Sequence, residues 1–157
     1  EAHDETVKNF IKMEEKNTGS SDIKILCNAN YYGGHKKYGE QTQATLILLE
    51  NGWVLTRETS GVKSFRIKID PDTIQDFGIT TKEQLTIPRF LMVGILAFAL
   101  KKKKKYLYIK YKDHLGFENN PVFDSMLGEI GIEEFSNVLY DVLEKRKKQV
   151  LNHKNTQ

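Results

Sequence analysis

A chain of 157 residues with 39% hydrophobic and 10% aromatic residues is long and apolar enough to bury a core as one domain. Twenty-four Lys and Arg against 21 Asp and Glu leave a net charge of +3, a balance that excludes a disordered polyelectrolyte. Cys27 is the single cysteine, so a disulfide scaffold is excluded, and collagen, coiled-coil and transmembrane classes fail on composition or run length.

The first residues, Glu1-Ala2-His3-Asp4-Glu5, show neither a basic nor an apolar signal region, and the missing initiator Met suggests a trimmed chain. Residues 4–16 place Val7, Phe10 and Ile11 on one face with Asp4 and Glu5 in the first turn, which predicts a short amphipathic helix. Residues 17–21 read as a linker.

From Asp22 the period becomes two. Ile23, Ile25, Cys27, Ala29 and Tyr31 alternate with Lys24, Leu26, Asn28 and Asn30, which predicts a strand. A loop rich in Gly and bases follows, Tyr32 to Gly39, carrying His35, Lys36 and Lys37. A second strand over Ala44–Leu49 and a third over Trp53–Arg57 flank Asn51-Gly52, a two-residue hairpin signal. A fourth runs from Val62 to Ile69, with Phe65, Ile67 and Ile69 on one face. Asp70-Pro71-Asp72 ends the meander, and residues 72–84 read as an irregular connection with at most one helical turn.

Strand character over Leu85–Leu100 includes the eleven-residue apolar run Phe90–Leu100, too short to cross a bilayer as a helix, which needs about 20 residues. Lys101–Lys105 form a charged turn or strand end. Tyr106–Lys112 alternates, with Leu107, Ile109 and Tyr111 on one face and Tyr106, Tyr108, Lys110 and Lys112 on the other. Asp113–Gly116 is a turn, and Pro121-Val122-Phe123 a short seventh strand. Ile132, Phe135, Val138, Leu139, Val142 and Leu143 then recur at helical spacing, between early glutamates and late lysines that complement the helix dipole. The tail Asn152–Gln157 is polar and expected to fray.

These elements define a mainly β, α+β chain: an N-terminal helix and linker (1–21), a seven-stranded antiparallel sandwich or open barrel capped by an amphipathic helix (22–148), and a polar tail (149–157). The expected core is built on Trp53, Phe65, Ile67, Phe135, Leu139 and Val142.

The order of elements resembles a pleckstrin-homology-like (PH-like) domain, closest to bacterial PH-like and GRAM-like domains of proteins of poorly known function. The resemblance rests on Phe65–Asp70, Leu91–Leu100, the lysine run, Tyr106–Ile109, Val122–Asp124 and the helix from Ile132, and it spans residues 22–147. It implies a non-enzymatic scaffold that binds lipid headgroups, peptides or partner domains. Lipid-binding relatives concentrate bases around the first hairpin loop. Here that loop has only His35, Lys36 and Lys37, so phosphoinositide specificity is not expected.

Enzyme signatures are absent. No glycine-rich loop precedes a helix, the four histidines are scattered, and Cys27 lies mid-strand as a small buried hydrophobe. No cofactor or metal is expected. The notable chemical feature is a basic stripe: Arg89, Lys101–Lys105, Lys110 and Lys112, with no acid between Pro88 and Lys112. The candidate binding surface is therefore Lys101, Lys102, Lys103, Lys104, Lys105, Tyr106, Tyr108 and Lys110, with Lys36 and Lys37. Three functions follow, in order: a protein-interaction or regulatory module, peripheral docking on anionic lipid headgroups through the lysines, and nucleic-acid binding through lysines and stacked tyrosines. Low net charge and the lack of a recognised motif set nucleic acid last. The expected setting is cytoplasmic or peripheral to a membrane, and oligomerisation stays open.

Overall fold

Strand alternation sends Cys27, Ala29 and Tyr31 into the interior and leaves Lys24, Leu26 and Asn28 exposed, which fixes the inner face of the first strand. The computed structural model describes residues 22–58, 65–85, 95–126 and 128–155. They form β1 (Ile23–Tyr31), β2 (Thr42–Leu49), β3 (Val54–Glu58), β4 (Arg66–Ile69), β5 (Ile74–Thr81), β6 (Lys105–Lys112), β7 (Glu118–Asn119) and β8 (Val122–Ser125). A helical turn, α1 (Lys82–Leu85), follows β5, and a 26-residue helix, α2 (Ile130–Asn155), closes the chain. The expected helix over residues 4–16 lies outside the described residues.

All pairings are antiparallel, in the order β4-β3-β2-β1-β8-β6-β5, with β7 also on β6. The strands thus hydrogen-bond as one sheet, not as two facing sheets. Ile67 and Ile69 from one edge share a core with Leu107 and Ile109 from near the other, so the sheet must curl into a half-barrel. Ile132, Phe135, Leu139 and Val142 of α2 fill that concavity. Phe65, Ile67, Phe135, Leu139 and Val142 are buried as expected; Trp53 is only half-buried. It packs instead beside a second cluster, Ile47, Leu49 and Leu55, on the other face of the sheet. Two covered faces explain why every residue of Ala44–Leu49, Thr45 included, is buried.

Four expectations are corrected. The connection expected over 72–84 contains a full strand, β5, because pairing with β6 overrides the turn-like Asp76-Phe77-Gly78 sequence. A register shift between Ile74 and Asp76 hides its alternation. The strand expected over 85–100 is not one where described: Leu85 ends α1, Ile95 makes one isolated bridge to Gly33, and Ala97–Ala99 is a 3-10 turn. The hairpin at Asn51-Gly52 is a three-residue loop, a turn closed by Gly52 N–H to the Leu49 carbonyl (3.0 Å), with positive φ only at Gly52. The polar tail continues α2 to Asn155.

Arg146 of α2 ties the helix to two turns at once. Its Nε and Nη2 donate to Asp72 (3.1 and 3.0 Å) and its Nη1 to the Asn51 carbonyl (3.1 Å). The Asp72 carboxyl is held below its ordinary value by these Arg146 hydrogen bonds.

Two stability outcomes follow. Phe135→Ala empties the centre of the concavity and should cost about 3–5 kcal/mol in urea denaturation; a shift near zero would remove α2 from the core. Thr56 Oγ1 is buried and makes no hydrogen bond among the described residues. Thr56→Val, which keeps the shape and removes the stranded hydroxyl, should stabilise by about 1 kcal/mol in the same measurement.

A basic groove as the candidate functional site

Tyr31 connects the core to the loop that follows β1. Its fully buried ring packs on Phe65 (centroids 4.7 Å apart) and Phe123 (5.5 Å). Its hydroxyl donates to the Tyr38 carbonyl and accepts the His35 N–H (3.3 Å). Gly34 lets this loop pass directly against the chain between β7 and β8. Its φ is +101°, and a Cβ there would lie 2.0 Å from the Asn120 carbonyl oxygen. The Lys36 N–H donates to Asn119 Oδ1 (2.9 Å), completing the anchorage.

The turn after β6 faces this loop. Asp113 Oδ1 accepts the Leu115 and Phe117 N–H groups (3.0 and 2.9 Å), and its Oδ2 accepts Asn119 Nδ2 (3.0 Å). Burial opposes the charge on Asp113, yet the bonds from Asn119, Phe117 and Leu115 together hold the carboxyl below its ordinary value. The turn presents Leu115 and Phe117 to solvent at 67% and 46% exposure. Lys36 Nζ lies 3.8 Å from the Phe117 ring centroid, a cation–π contact between loop and turn.

Between them runs a groove of about 830 Å³. Its cations are Lys36, Lys37, Arg66, Lys68 and Lys112, joined by His35 and His114; its acids are Asp70 and Asp113. Both acids already accept backbone N–H bonds, Asp70 from Asp72 (2.9 Å). Tyr38, Tyr111, Trp53 and Phe117 supply aromatic walls. Lys36, Lys37 and Lys112 converge on one rim of the cleft, and clustered cations attract anions.

The lysine stripe is not one surface. Lys101, Lys102 and Lys103 are exposed on a turn, but Lys104 pairs with Asp124 (2.7 Å) and Lys105 with Glu133 (2.8 Å). Asp124, fully buried, also accepts Tyr32 Oη (2.6 Å) and Asn30 Nδ2 (2.8 Å), so Lys104 neutralises an interior charge. Lys105 and Lys112 stand at opposite ends of β6, about 23 Å apart at roughly 3.3 Å per residue.

Tyr106 and Tyr108 are corrected with the stripe. Their face of β6 is covered by Leu85, Leu100 and Tyr32, which bury Tyr106 completely and Tyr108 partly. Tyr106 Oη accepts the Lys101 N–H (2.6 Å) and Tyr108 Oη donates to Asp76 (2.9 Å). The Tyr106 ring is closed to a stacking base, and the Tyr108 ring is partly covered. Lys110 is half-buried on that face, away from the groove lining. Lys36 and Lys37 are the members of the expected surface that the groove brings together. Arg66, Lys68, His114, Leu115 and Phe117 escape a reading of the sequence; outward alternation of Arg66 and Lys68 in β4 was the available signal, but it does not say what they face.

Cys27 is buried, and burial pushes its thiol up, as suits a core residue. Among the described residues no group of three or more His, Cys, Asp or Glu could hold a metal, and no helix is long and apolar enough to cross a membrane. No protein-family model matches the chain, and no curated protein matches it.

His35 gives the groove a pH dependence. Its ring lies tilted against Tyr38 (5.2 Å) and Tyr111 (6.4 Å), and Nδ1 accepts the Lys37 N–H (3.0 Å), which requires the neutral ring. Burial lowers its pKa below the usual 6.5, Asp113 opposing and Lys37 reinforcing the shift. The unfolded chain therefore binds the proton first, and stability falls as pH drops through and below about 6.5. Urea midpoints at pH 7.5 and 5.5 should fall more for wild type than for His35→Asn, whose amide oxygen can still accept the Lys37 N–H. Equal losses would remove His35 from the effect.

Proposed function

We propose that the chain is a non-enzymatic PH-like binding module that docks its basic groove on an anionic membrane surface. The PH-like reading is supported by the strand order β4-β3-β2-β1-β8-β6-β5, with the terminal helix packed in the concavity. Strand β7 continues the line of β8 along β6, so the two act as one interrupted strand.

The observation that carries the membrane reading is the convergence of Lys36, Lys37 and Lys112 with the protruding Leu115 and Phe117 at one rim. Lysines near an anionic leaflet contribute about 1 kcal/mol each, and this attraction fades beyond a Debye length. Leu115 and Phe117 then add apolar contact at the headgroup boundary. The binding site thus moves from the Lys101–Lys105 turn to the opposite end of β6.

Co-sedimentation with phosphatidylcholine vesicles, with and without phosphatidylserine, tests this at low and physiological salt. Wild type should bind only the anionic vesicles, less at higher salt. Replacing Lys36, Lys37 and Lys112 with Gln should weaken binding by about a hundredfold, from three contributions of roughly 1 kcal/mol. Gln at Lys101, Lys102 and Lys103 should change it little. Retained binding in the first variant, or loss confined to the second, would overturn the assignment.

A further inference from the structure

The apolar residues that α2 gives to the core, Ile132, Phe135, Leu139 and Val142, share one side of the helix. Its buried positions end at Val142, yet the helix continues for thirteen residues, about 20 Å at 1.5 Å per residue. On the other side a second stripe runs through Tyr140, Glu144, Lys147 and Leu151, at spacings of four, three and four. Those are the a and d spacings of a heptad, the repeat by which two helices pack along each other. All four side chains are exposed, Tyr140 by 56% and Leu151 by 59%. With Leu143 and Val150 they border a groove of about 860 Å³ between β5 and α2, so the stripe is open to solvent along its length.

The charges at the centre of the stripe select the helix that fits it. In a parallel pair of such helices Glu144 would meet Glu144 and Lys147 would meet Lys147, like charges in both central layers. In an antiparallel pair whose two-fold axis passes between Lys145 and Arg146, each a position faces a d position instead. Tyr140 then meets Leu151 of the second helix, Glu144 meets Lys147, and both contacts recur by symmetry. The flanking positions agree with that register: Leu143 falls beside Val150 on one flank, and Asp141 beside Lys148 on the other. Asp141, Lys147 and Lys148 have no ion-pair partner among the described residues, and Glu144 accepts the Tyr140 hydroxyl (3.2 Å). Pairing therefore joins opposite charges without breaking an ion pair of the monomer.

We infer that α2 is a homodimerisation helix, along which a second copy of this chain lays its own α2 antiparallel, Tyr140 against Leu151 and Glu144 against Lys147. The helix thus has two tasks on two sides. One side closes the curled sheet, and the other carries an interface that is its own complement under a two-fold axis. The apolar contacts at the ends of the stripe supply the burial, and the charged layers between them fix orientation and register. From Tyr140 to Leu151 the contact is about 18 Å long at 1.5 Å per residue, a small interface, so the dimer forms reversibly. It uses none of the lysines assigned to membrane docking.

Sedimentation equilibrium of the full chain from micromolar to millimolar concentration should show a reversible monomer–dimer equilibrium. Tyr140→Lys with Leu151→Lys, both at exposed positions, should lower the association constant tenfold or more, with the melting temperature of the dilute monomer unchanged. Charge reversal reads the register. Glu144→Lys and Lys147→Glu should each be monomeric alone, because like charges then meet in the central layers. Mixed with each other, these two variants should associate, because every central layer regains opposite signs. Disulfide trapping reads the orientation: a Tyr140→Cys chain oxidised together with a Leu151→Cys chain should give the mixed cross-linked dimer in excess over either homodimer. Cys27 is buried and does not compete. Replacing Lys36, Lys37 and Lys112 with Gln should leave self-association intact, so failure of the membrane reading and of this one are separable. A monomer at every concentration, charge-reversed variants that dimerise like wild type, no association on mixing them, or an excess of homodimeric cross-links would each overturn the inference.

Discussion

Curling one antiparallel sheet around the main apolar core is the constraint on which the other features depend. The edge strand β4 and the strand β6 contribute to the same apolar cluster, so the sheet has to curl, and the concavity it forms is filled by α2. Curling brings distant loops into register at the rim. The loop after β1 and the turn after β6 are about 80 residues apart in sequence, yet they meet through Lys36 and Phe117. Neither the basic groove nor the groove between β5 and α2 would exist on a flat sheet of the same strands.

The rim is not an independent appendage of that core. Tyr31 has its ring among Phe65 and Phe123 and its hydroxyl on the backbone of the 35–38 loop. Tyr38 in turn packs on Phe65 (5.0 Å), and His35 stands between Tyr38 and Tyr111. A continuous aromatic line thus runs from the interior to the cations. Groups that bind a charged surface are best held by a rigid support, because freezing mobile lysines on contact costs side-chain entropy.

Charge is divided between structure and surface. Asp124 draws Lys104 inward, Glu133 occupies Lys105, and Asp72 occupies Arg146. Burial of Asp124 requires that arrangement, since an unpaired interior carboxylate is costly. A run of five consecutive lysines is therefore not five units of free positive field. At the other end of β6 fewer cations are found in sequence, but the loop after β1 brings Lys36 and Lys37 to the same cleft as Lys112. Local density in the chain and local density in the fold are different quantities.

Much of the architecture was legible in one dimension. Alternation in Ile23–Tyr31 and Tyr106–Lys112 and the helical stripe from Ile132 to Leu143 follow from periodicity, because burying one face is a local demand on each element. The apolar side of β6 was read correctly, and Phe65, Ile67, Phe135, Leu139 and Val142 lie in the core as periodicity requires. What covers the second face of a strand is not local. Tyr106 looks outward in sequence and is buried because Leu85 and Leu100 arrive from elsewhere. Strand β5 is invisible for the same reason: its residues carry turn chemistry, and only the partner strand β6 makes them extended. The sequence by itself determined the elements, their inner faces and the supply of charge. The tertiary structure alone decided which lysines are spent on ion pairs and which converge, since that depends on distances through space that no spacing along the chain encodes.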